Sequence, residues 1–173
     1  MKNFRFGLLK NIVIAASLLL FFTQCNDDAE EIGGTADLVG VWDLQSTEVE
    51  LKVAGVPLLQ VLQTLGLTPE QAEELIEEIK DEFSDEELSI EFTEDNMYEV
   101  NSSGLKVEEG TWSLNGSTLS VDPVGDDPTN FEVLTLNATS LVVSFNETDD
   151  VEYTDDGKTV EVTADIEYTF AKQ

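Results

Sequence analysis

Residues 160–170 read VEVTADIEYTF, and this stretch decides the fold. Val160, Val162, Ala164, Ile166, Tyr168 and Phe170 are apolar, and every intervening residue (Glu161, Thr163, Asp165, Glu167, Thr169) is polar. Strict alternation over this length is the period of a β-strand with one face on a core and the other in water. The same rhythm recurs upstream in shorter pieces. Leu88, Ile90 and Phe92 alternate with Ser89, Glu91 and Thr93, and Tyr98 and Val100 resume the pattern after the turn Glu94–Asp95–Asn96. Val107 to Leu114 carries Trp112 and Leu114 on one face, Asn115–Gly116 is a hairpin signal, and Leu119 and Val121 return. Phe131–Leu136 and Leu141–Phe145 form a further hairpin across Asn137–Ser140, and Val151–Tyr153 turns through Asp155–Gly157 into the last strand. Eight or nine short strands, each with one apolar face, describe an antiparallel sandwich or barrel. The need to remove exposed edges favours the barrel.

Leu38–Val53 alternates too, but Trp42 and Leu44 are apolar on even positions and Val49, Leu51 and Val53 on odd ones. A bulge near Ser46–Thr47 is expected, because one extra residue exchanges the faces. Residues 54–87 abandon the strand period. Leu58, Val61, Leu62 and Leu65 have helical spacing and Gly66 ends it. Thr68–Pro69–Glu70–Gln71 then makes a capping box with proline at the first helical position. Ala72, Leu75, Ile76, Ile79 and Phe83 follow as one apolar stripe on an otherwise acidic helix. That stripe must pack on something, either as a helical hairpin plugging the core or as a lid over a cavity.

The chain's start has a different character. Lys2, Arg5 and Lys10 precede an apolar run at Ile12–Phe22, too short to span a bilayer, and Thr23–Gln24–Cys25 closes it. Phe22–Thr23–Gln24–Cys25, with the only cysteine of the chain, resembles a bacterial lipoprotein box. The acidic run Asn26–Glu31 is similar to the export tags of Bacteroidetes-type surface lipoproteins. The resemblance implies a signal peptide over residues 1–24, lipidation of Cys25, and a membrane contact made through that lipid. It implies a place at the outer membrane of a Gram-negative bacterium, exposed at the cell surface or else on the periplasmic face. Residues 25–36 read as a flexible acidic linker and residues 37–173 as one domain.

Composition removes most chemistry. Residues 25–173 hold 37 acids against five lysines, a formal charge of −32. That charge repels nucleic acid and anionic membrane surfaces, which need clustered Lys and Arg. The chain has no histidine and no arginine after Arg5. Histidine bases, histidine-activated nucleophiles, His-bearing zinc sites and bidentate arginine clamps are therefore out. Neither a GxxxxGK[ST] loop nor a GxGxxG turn occurs, and no cofactor is implied. Carboxylate-only hydrolysis survives, without any pair that can be singled out among 37 acids. The doublets Asp126–Asp127, Asp149–Asp150 and Asp155–Asp156 fit turns better than calcium loops.

Leu38–Val39–Gly40–Val41–Trp42 resembles the Gly-x-Trp start of the lipocalin and calycin barrels. Glu109–Val121 (EGTWSLNGSTLSV) is similar to the middle hairpin of bacterial lipocalin-like lipoproteins. The resemblance covers about residues 37–171 and implies a mainly β, antiparallel, lipocalin-like barrel of about eight strands. The helical insertion at 54–87 sits between the first two strands. In such barrels Gly40 and Trp42 would be structural, with Trp42 closing one end. The arginine that often packs on that tryptophan has no counterpart here. The implied function is non-enzymatic binding of a small apolar ligand, with Phe92, Tyr98, Trp112, Phe145 and Tyr168 as inward candidates. The alternative is a filled barrel serving as a structural or partner-binding surface module; the sequence does not identify a protein partner.

Overall fold

In the computed structural model, residues 32–81, 83, 88–153 and 157–173 are described. The leader, Cys25 and most of the linker lie outside them. One short helix, α1 (Thr35–Leu38), precedes β1 (Gly40–Val53). The insertion holds β2 (Val56–Pro57), α2 (Leu58–Thr64) and α3 (Pro69–Asp81). Then come β3 (Leu88–Phe92), β4 (Met97–Ser102), β5 (Leu105–Asn115), β6 (Thr118–Pro123), β7 (Thr129–Leu136), β8 (Ser140–Glu152) and β9 (Thr159–Lys172). Every strand pairing is antiparallel. From β3 to β9 each strand bonds the next, β1 bonds β3, and β9 returns to β1, so eight strands close into a barrel with β2 as an appendage. Closure leaves no sheet edge between β1 and β9.

The bulge in β1 lies between Leu44 and Ser46, with Gln45 as the extra residue, one position before the expected site. It lets Trp42, Leu44, Val49 and Leu51 share the inner face despite their change of parity. The β5–β6 turn also shifts by one residue. Asn115 pairs with Thr118, and the loop is Gly116–Ser117, with Gly116 at φ 59° where a side chain would be strained. At the β7–β8 hairpin, Asn137 Oδ1 accepts hydrogen bonds from the backbone N–H groups of Thr139 and Ser140, both at 3.0 Å. Such local closure is what asparagine supplies in turns.

The capping box of α3 forms as read. Thr68 Oγ1 accepts from Gln71 N at 3.3 Å, and Gln71 Oε1 accepts from Thr68 N at 3.0 Å. The apolar stripe packs. Ala72 and Ile79 of α3 join Leu58 and Leu62 of α2, Leu51 of β1, Val151 of β8 and Val162 of β9 in one buried cluster. The helices thus cover the inner face of the three longest strands, β1, β8 and β9, where these run past their shorter neighbours.

A second buried cluster fills the opposite, closed end of the barrel, around Leu38, Trp42, Phe92, Trp112, Leu136 and Phe170. Here the linker reading needs correction. Gly33 N donates to Leu136 O at 2.9 Å, Ile32 packs on this cluster, and α1 begins within the supposed linker. The fold therefore takes in Ile32–Ala36 as well, because Ile32 and Leu38 supply apolar surface that seals the barrel floor.

Candidate functional site

The floor is built around the Gly-x-Trp pair. Trp42 is fully buried, and its indole Nε1 donates to Leu38 O at 2.7 Å, tying β1 to α1. Lys172 Nζ lies 4.9 Å from the Trp42 ring centroid and donates to Asp37 O at 2.7 Å. A lysine from the last strand thus stands where the resemblance leads one to expect an arginine, with the ring face as its partner. Gly40 makes room for it. Its φ is 139°, and a Cβ there would come within 2.6 Å of Lys172 Cε.

Above the floor the inner face is aromatic, and the five inward candidates fall into two groups. Phe92, Tyr98 and Trp112 belong to the floor cluster, at 2%, 3% and 4% exposure. Phe92 meets Trp112 edge-on at 5.7 Å and Tyr98 at 6.4 Å. The Tyr98 ring lies across Gly110, and its hydroxyl donates to Glu108 Oε1 at 2.6 Å. Burial first, and the Glu108 carboxylate second, push the Tyr98 hydroxyl well above the ordinary tyrosine value. Phe145 and Tyr168 form the other group. They stack at 6.0 Å with 18° between ring planes, and Phe131 of β7 meets Phe145 at 5.2 Å. Tyr168 reaches both buried clusters and touches Phe170 of the floor at 6.2 Å.

The three rings of the second group face inward yet are only half-buried. Phe145 shares its side of β8 with buried Leu141, Val143 and Val151, and Tyr168 shares its side of β9 with buried Ile166 and Phe170. Phe131 was legible only as a strand residue, although its alternation with Val133 marked it as inward. Next on the inner side of β8 come Glu147 and Asp149, opposite Ala164 and Val162. Burial, then the neighbouring Asp149 charge, raises the Glu147 carboxyl above the ordinary glutamate value. Glu147 in turn adds to the upward shift that burial imposes on the Tyr168 hydroxyl.

The outer face is plain by comparison. Lys52 bridges Glu50 at 2.8 Å and Asp165 at 2.9 Å, and Asn146 Nδ2 donates to the other Asp165 oxygen at 2.9 Å. Lys106 pairs with Glu109 at 2.7 Å and Glu99 at 3.4 Å. Exposed pairs of this kind contribute little to stability. Among the described residues no three His, Cys, Asp or Glu side chains converge as metal ligands, and no helix is long and apolar enough to cross a membrane.

A family model described as a lipocalin-like domain matches residues 38–143, more than half of the chain. The chain belongs to the lipocalin-like domain family. The match runs from the last residue of α1, two positions before β1, into β8. The rest of β8 and all of β9 lie beyond it, yet β9 is the strand that closes this lipocalin-like barrel. No curated protein matches the chain.

Proposed function

We propose that this lipocalin-like domain is a non-enzymatic carrier that holds a small, largely apolar molecule inside its barrel. One observation carries the reading: Phe131, Phe145 and Tyr168 face inward and remain half-buried, while the clusters on either side of them are built from buried residues. Accessible aromatic surface inside a closed barrel is what an apolar guest covers, since burying it releases roughly 25 cal/mol per Å². Catalysis has little to draw on. Histidine is absent, and the inward acids Glu147 and Asp149 sit two positions apart on one strand rather than across a cleft. In the same reading, lipid on Cys25 anchors the domain at the outer membrane, facing the cell exterior.

Native mass spectrometry of residues 26–173 purified from the native host, then challenged with fatty acids and retinoid-like probes, tests the carrier role. A stoichiometric adduct that survives desalting supports it, and its mass names the ligand. A bare protein whose tryptophan fluorescence no probe quenches refutes it. A Cys25→Ala protein that leaves the membrane fraction supports the anchor, and one that stays there refutes it.

A second reading has its own observation. Leu105, Val107 and Val124 are 71%, 60% and 74% exposed, and Val124 N donates to Glu109 O, which brings the β6–β7 loop against β5. An exposed apolar spot on an acidic domain suits a protein-binding module, and a pull-down lost in Leu105→Ser/Val124→Ser would favour it.

A further inference from the structure

Resting on the carrier reading, we propose that the guest carries a positively charged nitrogen on its apolar body, received by Glu147 beside the Phe145 and Tyr168 rings. The inner side of β8 runs Leu141, Val143, Phe145, Glu147, Asp149, Val151, so a carboxylate holds the inward position next to half-buried Phe145. Glu147 is itself half-buried, which leaves its side chain within reach of a guest. The barrel wall opens at this point. β7 accompanies β8 only from Leu141 to Ser144, and beyond Ser144 no strand among the described residues pairs with that side of β8. Phe145 and Glu147 are the first inward residues past the place where the two strands part. Glu147 also lies close enough to Tyr168 for its charge to act on the hydroxyl. Rings and carboxylate thus share one accessible stretch of the inner wall.

The charges around that stretch fix the character of the guest's head. Burial and Asp149 both oppose the charge on Glu147, and no lysine acts on it to offset them. Lys52 and Lys106 are held in outer-face ion pairs, and Lys172 lies over Trp42 at the floor. Lys80 sits in the last turn of α3, Lys158 lies just before β9, and the described chain has no arginine or histidine. A half-buried carboxylate without a cation is a standing cost, which an ammonium group set against it removes. The neighbouring rings favour the same charge, because an aromatic face is its negative side. A carboxylate or phosphate head would instead meet Glu147 and Asp149 with no counter-charge. Inward charges beside an unpaired strand edge also discourage strand addition, but that role makes no demand on the charge of a guest.

The test is displacement of Nile red, a neutral apolar dye, from residues 26–173 at neutral pH. The competitors share one chain length: dodecylamine, 1-dodecanol and dodecanoate. The amine, protonated at this pH, is expected to compete about tenfold better than the alcohol, the increment of one charge-assisted hydrogen bond, and dodecanoate worst. In Glu147→Gln, which keeps the size of the side chain and removes its charge, the amine should fall to within about twofold of the alcohol, whose own competition is unchanged. Glu161→Gln is the control: it removes one charge from the exposed outer side of β9 and should leave the amine's advantage intact. Circular dichroism checks that both variants fold. An advantage that persists in E147Q, one that falls equally in E161Q, or a dodecanoate that matches the amine overturns the proposal. Uptake of the alcohol with no preference for the amine, as edge protection alone would give, overturns it and leaves the carrier reading standing. Failure of the dye and of every competitor to bind overturns both.

Discussion

Gly110→Ala puts the packing of the barrel to a sharp test. Gly110 pairs with Tyr98 of β4 on one side and Pro123 of β6 on the other. A Cβ at this position would overlap Asp122 O and stand 2.8 Å from both Pro123 Cα and Tyr98 Cε1. Comfortable carbon contacts are roughly 3.5–4.0 Å. The Tyr98 ring cannot swing clear, being buried beside Phe92 and held through its hydroxyl to Glu108. Asp122 and Pro123 are backbone obstacles in a paired strand, so relief requires prising β6 from β5. Over-packing of this kind costs about 1–3 kcal/mol. Losing the Tyr98–Glu108 bond or a ladder bond adds about 1 kcal/mol. The expected loss of about 3 kcal/mol corresponds to a fall in Tm of about 10 °C for a domain of this size. Gly34→Ala is the control. A Cβ there meets nothing within 4 Å and φ is −85°, so stability should change by less than about 1 kcal/mol. Thermal and urea unfolding followed by circular dichroism measure both. A G110A protein melting within about 2 °C of the wild type would refute the placement of Tyr98 across Gly110.

Other perturbations separate the remaining parts of the molecule. Trp42→Phe strands Leu38 O and puts a smaller ring beneath Lys172, and should cost about 2–4 kcal/mol in urea unfolding; a change under about 0.5 kcal/mol would deny the floor its role. Thr68→Ala removes the acceptor of Gln71 N and should cost about 1 kcal/mol, with faster amide exchange at the start of α3 and none in β4–β6; uniform exchange would contradict it. The Glu147 carboxyl is raised in the fold by burial and then by Asp149, so the folded state holds its proton more tightly than the unfolded chain does. That contribution is present below the ordinary glutamate range and is lost as pH rises through the elevated folded value. Glu147→Gln should therefore be more stable than the wild type at neutral pH, with the advantage gone in acid. Urea midpoints at several pH values that run parallel for the two proteins would refute this.

Strand period and local chemistry carried most of the architecture. The alternation of Val160–Phe170 marks β9, the parity change after Leu44 located the β1 bulge to within a residue, and Thr68–Gln71 announced α3. Contacts between distant residues were not legible. Lys172 over Trp42 is one of them, because nothing local to a lysine near the end of the last strand points to a ring on β1. The reading of β8 stopped at Phe145, yet the strand runs to Glu152. Glu147 and Asp149 keep the inward register but are not apolar, so the strand continued where its signal ceased. Tertiary pairing with β9 holds those acids in place, and that pairing is invisible along the chain. The same acids hid the division of the interior. Trp112 and Tyr168 looked equivalent in sequence, but one lies in the packed floor and the other between the two clusters.

The seam between β1 and β9 also sets the order in which this molecule can come into being. Gln173 reaches the Asp43 carboxylate from 130 positions away, so the first long strand waits for the last residues before it has its final neighbour. Pairings so distant in sequence are slow to form, because the loop they close is long. While a ribosome is still adding β9, β1 and β8 both present open ladders to any passing strand. Until then the nascent domain is an unsealed sheet, and its birth depends on being shielded or diluted for that interval. Loss of β9 would leave it permanently in that unsealed condition.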